Sequence, residues 1–171
     1  QHDRGAYRYR KTGVDGKRRQ TDNMSISRAL ADEDWDYISL QQASDRSGQP
    51  ETYEPYLTEL IQYIKKVSPG SEIVWHQTWA YAKSSRHGAF PRYGKDQTRM
   101  YNCIVDAARK AVKEHGIKIV IPAGTAVQNA RTTFIGDNMN RDGYHLDLTY
   151  GRYTAACTWY EALTGRSVLG N

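Results

Sequence analysis

The residues best suited to chemistry are an acid and a histidine near the end of the chain, Asp142 and His145, in the segment Arg141-Asp142-Gly143-Tyr144-His145. An aspartate three residues before a histidine, in a loop that leads into a helix, can place both side chains at one site. Asp142 could orient the imidazole, and His145 could then act as a general base for a nucleophile. The same spacing also arises by chance around a solvated loop histidine, so both interpretations stay open here.

An alternation of strands and helices must position this pair. Apolar strands are predicted at 37–42, 73–79 and 118–122, and helical spacing is predicted at 24–33, 53–67, 97–115 and 153–163. This order predicts an α/β fold with a mostly parallel sheet between helices, and ligands bind such sheets beyond the carboxyl ends of the strands. We therefore expect one edge to gather the residues that follow the strands: Gln41, Gln42, Trp79, Tyr81, the segment 122–129, Asp142 and His145.

Composition bounds the kind of protein. The 171 residues suit one globular domain, and with 39% hydrophobic and 25% charged residues disorder is not expected. Much of the net charge of +5 lies in the first 20 residues, where Asp15-Gly16 predicts a tight hairpin turn. The later charges are mixed in sign and form no continuous basic stripe, so we expect no nucleic-acid partner. No apolar run could cross a membrane.

The two cysteines lack metal-site spacing, and we predict that they are buried free thiols. No metal or cofactor is expected.

Tyrosine and tryptophan are abundant, with 13 Tyr and 4 Trp against 2 Phe. Such side chains combine a flat apolar face with a polar edge, which suits a wet sugar-binding cleft. Ordinary half-buried packing explains them equally well.

Four segments in order resemble the SGNH hydrolases, the GDSL-like esterases, and most closely a Bacteroidetes-type branch of DUF4886-like proteins. They span most of the chain: Trp35-Asp36-Tyr37-Ile38-Ser39-Leu40-Gln41-Gln42-Ala43-Ser44, Trp75-His76-Gln77-Thr78-Trp79-Ala80-Tyr81, Ile121-Pro122-Ala123-Gly124-Thr125-Ala126-Val127-Gln128-Asn129-Ala130-Arg131, and Asp142-Gly143-Tyr144-His145-Leu146. The resemblance implies a three-layer α/β/α sandwich with a flavodoxin-like sheet, formed by residues 1–171 as one domain.

The resemblance also implies roles for individual residues. Asp142 and His145 match the acid and base of a Ser-His-Asp triad, and Gln41 matches an amide that binds an oxyanion, with Gln42 beside it. Trp79 and Tyr81 become candidate sugar platforms at the rim, and Asn129 could line the site. These residues have structural alternatives: loop capping for Gln41 and Gln42, packing for Trp79 and Tyr81, and capping or a surface position for Asn129. His76, in mid-strand, is expected to be a satisfied core histidine.

The sequence departs from the family at the nucleophile. The family's catalytic serine follows the first strand in a Gly-Asn-Ser or Gly-Asp-Ser turn, and residues 1–35 contain no such block. Ser44 is the least unsuitable internal substitute. Because an inner strand would be missing, and because the chain begins Gln1-His2, we expect this sequence to be the C-terminal part of a longer protein. A cleaved N-terminal segment that stays bound could be a partner.

Two functions follow from the resemblance. The first is an esterase that removes O-acyl groups, foremost O-acetyl, from carbohydrate, in a secreted or periplasmic protein. The second is a carbohydrate-binding relative that has the cleft but no nucleophile.

Overall fold

The computed structural model describes residues 4–171. Gln1, His2 and Asp3, from which the sequence analysis expects a longer protein, lie outside that range. The strands are β1 (Tyr7–Thr12), β2 (Arg18–Met24), β3 (Tyr37–Leu40), β4 (Glu72–His76) and β5 (Ile119–Ile121). The helices are α1 (Ile26–Leu30), α2 (Tyr56–Val67), α3 (Gln97–His115), α4 (Ala123–Ala130) and α5 (Tyr150–Thr164). Short 3₁₀ turns lie at Pro50–Thr52 and Phe90–Tyr93.

The described residues divide into two compact units, of which the first comprises residues 4–38 and Leu57–Glu72. Its β1 and β2 pair as an antiparallel hairpin, and Gly16 takes a φ of +73° in the turn, which confirms the hairpin predicted from Asp15-Gly16. Acidic neighbours balance part of its basic charge, since Lys11 pairs with Asp32 at 2.6 Å.

The second unit comprises Ser39–Tyr56 and Ile73–Asn171. The sheet order is β3-β4-β5, and β4 pairs with β5 in parallel. Neighbouring residues of β4 point to opposite faces of the sheet. Trp75 stacks on Tyr53 with ring centroids 5.6 Å apart, whereas His76 lies 5.3 Å from the ring of Trp159 on α5. The sheet is therefore covered on both faces, and the predicted α/β fold with a parallel sheet is confirmed.

His76 lies in the core, only 6% exposed, between Trp79 and Trp159. Its burial matches the prediction of a core histidine. Among the residues that the structure describes, however, its Nδ1 has no hydrogen-bond partner. Desolvation by burial lowers the pKa of His76 to about 4, because the charged imidazolium would lose its hydration there.

Part of the segment 80–96, for which the sequence predicts neither a strand nor a helix, lies in the core. Ala80, Tyr81, Phe90 and Tyr93 are buried against α3 residues Met100 and Ile104. The apolar residues of this segment recur with neither a helical nor a strand period. Their burial therefore could not be predicted from the sequence, because it depends on their contacts with α3. The segment 122–129, which was expected to follow a strand, lies almost entirely in α4, Ala123–Ala130.

No helix among residues 4–171 combines the length and the apolar character that crossing a membrane requires.

Gly124 sets how closely α4 approaches the end of β4. Its N–H donates to the carbonyl of Gln77 at 3.0 Å. A Cβ on Gly124 would overlap the carbonyl oxygen of Thr78, which belongs to the backbone and cannot swing aside. Only glycine permits this approach, which brings the first turn of α4 against the carboxyl end of the strand.

Replacing Gly124 should therefore weaken the unit by overpacking. We expect Gly124→Ala to lower the free energy of unfolding by about 1–3 kcal/mol, measured by urea denaturation. Gly88→Ala is the matched control, because nothing lies within 4 Å of a Cβ at that position. Equal stabilities for the two variants would contradict the close approach.

Candidate active site

The candidate site centres on a hydrogen-bonded pair, Asp142 and His145. His145 Nδ1 lies 2.6 Å from Asp142 Oδ2, and the two side chains are 51% and 40% exposed. The other carboxylate oxygen, Oδ1, accepts the backbone N–H groups of His145 at 2.7 Å and Tyr144 at 3.2 Å. Both oxygens are thus engaged, and the carboxylate holds the imidazole with its Nδ1 toward the acid. A proton on Nδ1 leaves Nε2 as the atom that can accept a proton from a nucleophile.

The residue between the pair allows this turn to form. Gly143 has a φ of +88°, a region that L side chains rarely adopt. Its carbonyl accepts the N–H of Ala82 at 2.8 Å, and a Cβ on it would press on Ser85 at 3.0 Å from the Cα atom. The backbone conformation and the close neighbour both require glycine. Asp142 and His145 can therefore face each other while the loop stays attached to the segment after β4.

Desolvation raises the pKa of Asp142, but the hydrogen bonds from the His145 side chain and from the backbone of His145 and Tyr144 outweigh it. Together they hold the pKa at about 2, below the ordinary value of 3.8. Asp142 is therefore an anion throughout the neutral range. An anion beside the ring stabilises an imidazolium when His145 takes up a proton.

This depressed pKa gives a pH test. The pair should stabilise the folded loop fully above pH 3.8, and that contribution should be lost as the pH falls through about 2. We expect the Asp142 carboxyl carbon to titrate near pH 2 in a ¹³C NMR experiment. In His145→Ala, which removes the side-chain hydrogen bond, the midpoint should rise toward 3.8. A midpoint that is the same in both proteins would contradict the pairing.

Trp79 fixes the histidine loop. Its indole N–H donates to the carbonyl of Tyr144, next to His145, at 2.7 Å. Trp79 is half-buried and packs against Val127, Met139 and Leu146. Its polar edge is engaged with the loop, in keeping with the packing alternative considered for it from the sequence.

The prediction that Tyr81 lies at an exposed sugar-binding rim is wrong. Tyr81 is fully buried, and it contacts Phe90 and Tyr144 edge-on. Its hydroxyl lies 3.2 Å from Ser44 Oγ. Phe90, Tyr93 and the helix α3 enclose the ring. The position of Tyr81 after a strand does not predict either of these contacts.

The two glutamines after β3 differ. Gln42 donates its amide to Thr52 Oγ1 at 3.2 Å and accepts the N–H of Ala43 at 2.8 Å, which is the loop-capping role. Gln41 is exposed, and its amide makes no hydrogen bond to any residue in the described range 4–171. Of the two, Gln41 has the amide that is available to a ligand.

Asn129 lies on the last turn of α4 and is exposed. Within the part of the chain that the structure describes, no hydrogen bond or ring contact joins it to Asp142 or His145. Its place in the site stays a prediction.

The structure adds aromatic residues that the sequence did not single out. Tyr144 lies 4.1 Å from the ring of His145, and His87 lies 4.8 Å from Tyr144. His87 is also 4.7 Å from Tyr81. These rings form one wall beside the imidazole. His87 belongs to a segment without periodicity, so no spacing connects it to His145.

Ser44 does not complete the triad, because its hydroxyl forms no hydrogen bond with His145 in the structure. Its hydroxyl is paired with Tyr81, and across residues 4–171 no serine or cysteine side chain hydrogen-bonds to His145.

A separate group of residues has a spacing that a metal ion could use. Ligand atoms of Glu54, Glu114 and His115 lie within 4.8 Å of one another. Within this group His115 Nε2 lies 2.8 Å from Glu54 Oε1, and Glu114 Oε1 lies 3.8 Å from Lys110 Nζ.

Comparisons with known structures identify the class. A candidate SGNH hydrolase from Slackia heliotrinireducens has 21% identity and a TM-score of 0.60, with 79% of this chain and 69% of that chain covered. A candidate GDSL-like lipase from Parabacteroides merdae ATCC 43184 has 27% identity and a TM-score of 0.58, with 78% and 62% covered. The fold is thus that of the SGNH hydrolases.

The family model of DUF4886, a domain of unknown function, matches residues 1–171, and the chain belongs to this family. The crystal structure of a DUF4886 family protein from Bacteroides uniformis ATCC 8492 has 56% identity and a TM-score of 0.92. It covers 96% of this chain, which spans 64% of that relative. No curated protein matches the chain.

Proposed function

We propose that this domain supplies the acid and base of a serine ester hydrolase, with His145 as the general base and Asp142 as the residue that orients it. The observation that carries the proposal is the 2.6 Å contact between His145 Nδ1 and Asp142 Oδ2, in a loop that fixes both residues. The hydrolase fold of the structural relatives supports the same class of reaction.

In this proposal the serine comes from a segment that precedes residue 1 in the whole protein. Support comes from the B. uniformis relative, of whose length the chain spans 64%. The serine hydroxyl attacks the ester carbonyl while His145 Nε2 takes its proton, and the leaving alcohol then receives that proton. Water hydrolyses the acyl-serine in a second round, with His145 again accepting and returning one proton.

The oxyanion of each tetrahedral intermediate needs hydrogen-bond donors. The free amide of Gln41 is the side-chain donor in this proposal, and backbone N–H groups complete the set. Removing one such donor typically costs on the order of 3 kcal/mol of activation free energy. Gln42 cannot serve in the same way while it is bonded to Thr52.

The proposed substrate class is O-acylated carbohydrate, foremost O-acetylated, handled by a secreted or periplasmic protein. The chain's excess of tyrosine over phenylalanine, 13 against 2, supports a wet aromatic cleft. Tyr150, which is 48% exposed, begins α5 five residues after His145 and is a candidate sugar platform.

A carbohydrate-binding relative without catalysis is the alternative. It is favoured by one observation: no serine hydroxyl in residues 4–171 forms a hydrogen bond with His145.

The test is acetate release by the whole protein, including the segment before residue 1, from p-nitrophenyl acetate and from acetylated xylan. We expect His145→Ala to lower kcat by about 10³-fold, since general-base catalysis is lost. His115→Ala is the matched control, because it removes a histidine that pairs with Glu54 instead of Asp142.

Equal rates for the wild type and His145→Ala would exclude the general-base role. Absence of turnover together with saturable binding of acetylated xylan would favour the binding alternative.

A further inference from the structure

A buried arginine connects α4 to the histidine loop. Arg131 caps the carboxyl end of α4, and its side chain is 4% exposed. One guanidinium nitrogen donates to Gln128 Oε1 at 2.9 Å. The second terminal nitrogen, Nη2, donates to the carbonyl of Ala80 at 3.0 Å and to Asn140 Oδ1 at 2.6 Å. A single planar group therefore holds the helix, the segment after β4 and the loop that carries the candidate base.

Asp137 balances the charge of this arginine. Its Oδ1 lies 3.0 Å from Arg131 Nε, an ion pair without the alignment of a hydrogen bond. The same carboxylate accepts the Gln97 amide at 2.7 Å through Oδ1 and the Lys83 N–H at 2.7 Å through Oδ2. Burial lowers the pKa of Arg131, and Asp137 opposes that effect. The ion pair thus also anchors the loop to α3.

Asn140 carries the connection to His145. Its Oδ1 is bonded to Arg131, which leaves its Nδ2 to donate to the carbonyl of Tyr144 at 3.2 Å and of His145 at 3.5 Å. Asn140 also forms an antiparallel bridge with Leu146. Two successive hydrogen bonds thus run from the arginine to the backbone of the candidate base.

We propose that Arg131 is a positioning residue, which acts through Asn140 to fix the backbone of His145 in the orientation that the reaction needs. Within residues 4–171, Arg131 forms no hydrogen bond or ion pair with Asp142 or His145, so its role is positioning and not catalysis. The inference rests on the proposed function for its catalytic consequence, while the positioning itself is measurable without any activity.

The chemistry of the Arg131 guanidinium favours a positioning role over a role in stability alone. A buried ion pair gives little net stability compared with apolar residues of similar volume, whereas a forked guanidinium fixes several acceptors at set angles. Lysine would keep the charge but could not hold Ala80, Gln128 and Asn140 together. The Arg131→Lys variant therefore separates charge from geometry.

The test compares hydrogen exchange of the His145 amide, which donates to Asp142 Oδ1, in Arg131→Lys and Asn140→Leu. We expect exchange of this amide to become at least about tenfold faster in both variants, with the Ile104 amide in α3 unchanged. Arg109→Met, which replaces a 78% exposed arginine of α3, is the matched control and should leave both amides unchanged.

Unchanged exchange at His145 in both variants would overturn the proposal. An equal acceleration at His145 and Ile104 would overturn it too, because that result means a general loss of stability. In the whole protein, Arg131→Lys should lower kcat about tenfold or more with KM within twofold. A third outcome separates the two proposals. If the wild-type whole protein has no esterase activity and the His145 amide still exchanges faster in both variants, the proposed function is refuted and the positioning role stands.

Discussion

The site depends on one carboxylate. Asp142 uses Oδ2 to hold the imidazole of His145 and Oδ1 to accept two backbone N–H groups from the same turn. A histidine that is half exposed would otherwise rotate freely about its side-chain bonds. Because the same anion shapes the turn and orients the ring, geometry and electrostatics cannot be separated at this position. Gly143 contributes the backbone conformation that makes the arrangement possible.

The histidine loop is stable because it is attached to the segment that follows β4. Trp79 donates to the carbonyl of Tyr144, and Ala82 donates to the carbonyl of Gly143. The Asp137 carboxylate accepts the N–H of Lys83 on the same side. Polar backbone groups in a loop must find such partners when water is excluded. The loop therefore takes its position from the carboxyl end of β4, where the α/β fold places a site.

Local signals made part of this structure predictable. Helical spacing predicted α3 at 97–115, and the structure has a helix over those residues. Asp142 and His145 are three residues apart, so their pairing needs only a short turn, and it was predictable from the sequence. The hairpin near Asp15-Gly16 is a local feature as well.

Other parts depend on contacts between distant residues. Tyr81 follows a strand as expected, but whether it faces solvent depends on Phe90 and on α3. The helix α4 has only 8 residues, of which Ala123, Gly124 and Val127 are buried, and packing stabilises it more than its own propensity does. Arg131 meets Ala80 and Asn140 across 51 and 9 residues, and no sequence spacing indicates that.

The central claim is that His145 activates a serine outside these 171 residues, and covalent labelling tests it most directly. The whole protein would be treated with a fluorophosphonate, which reacts with activated serines, and the modified residue located by mass spectrometry. The account predicts one modified serine that precedes Gln1 in the chain, and a labelling rate that falls at least about 10²-fold in His145→Ala. Modification of a serine within residues 1–171, or an equal rate in His145→Ala, would contradict it.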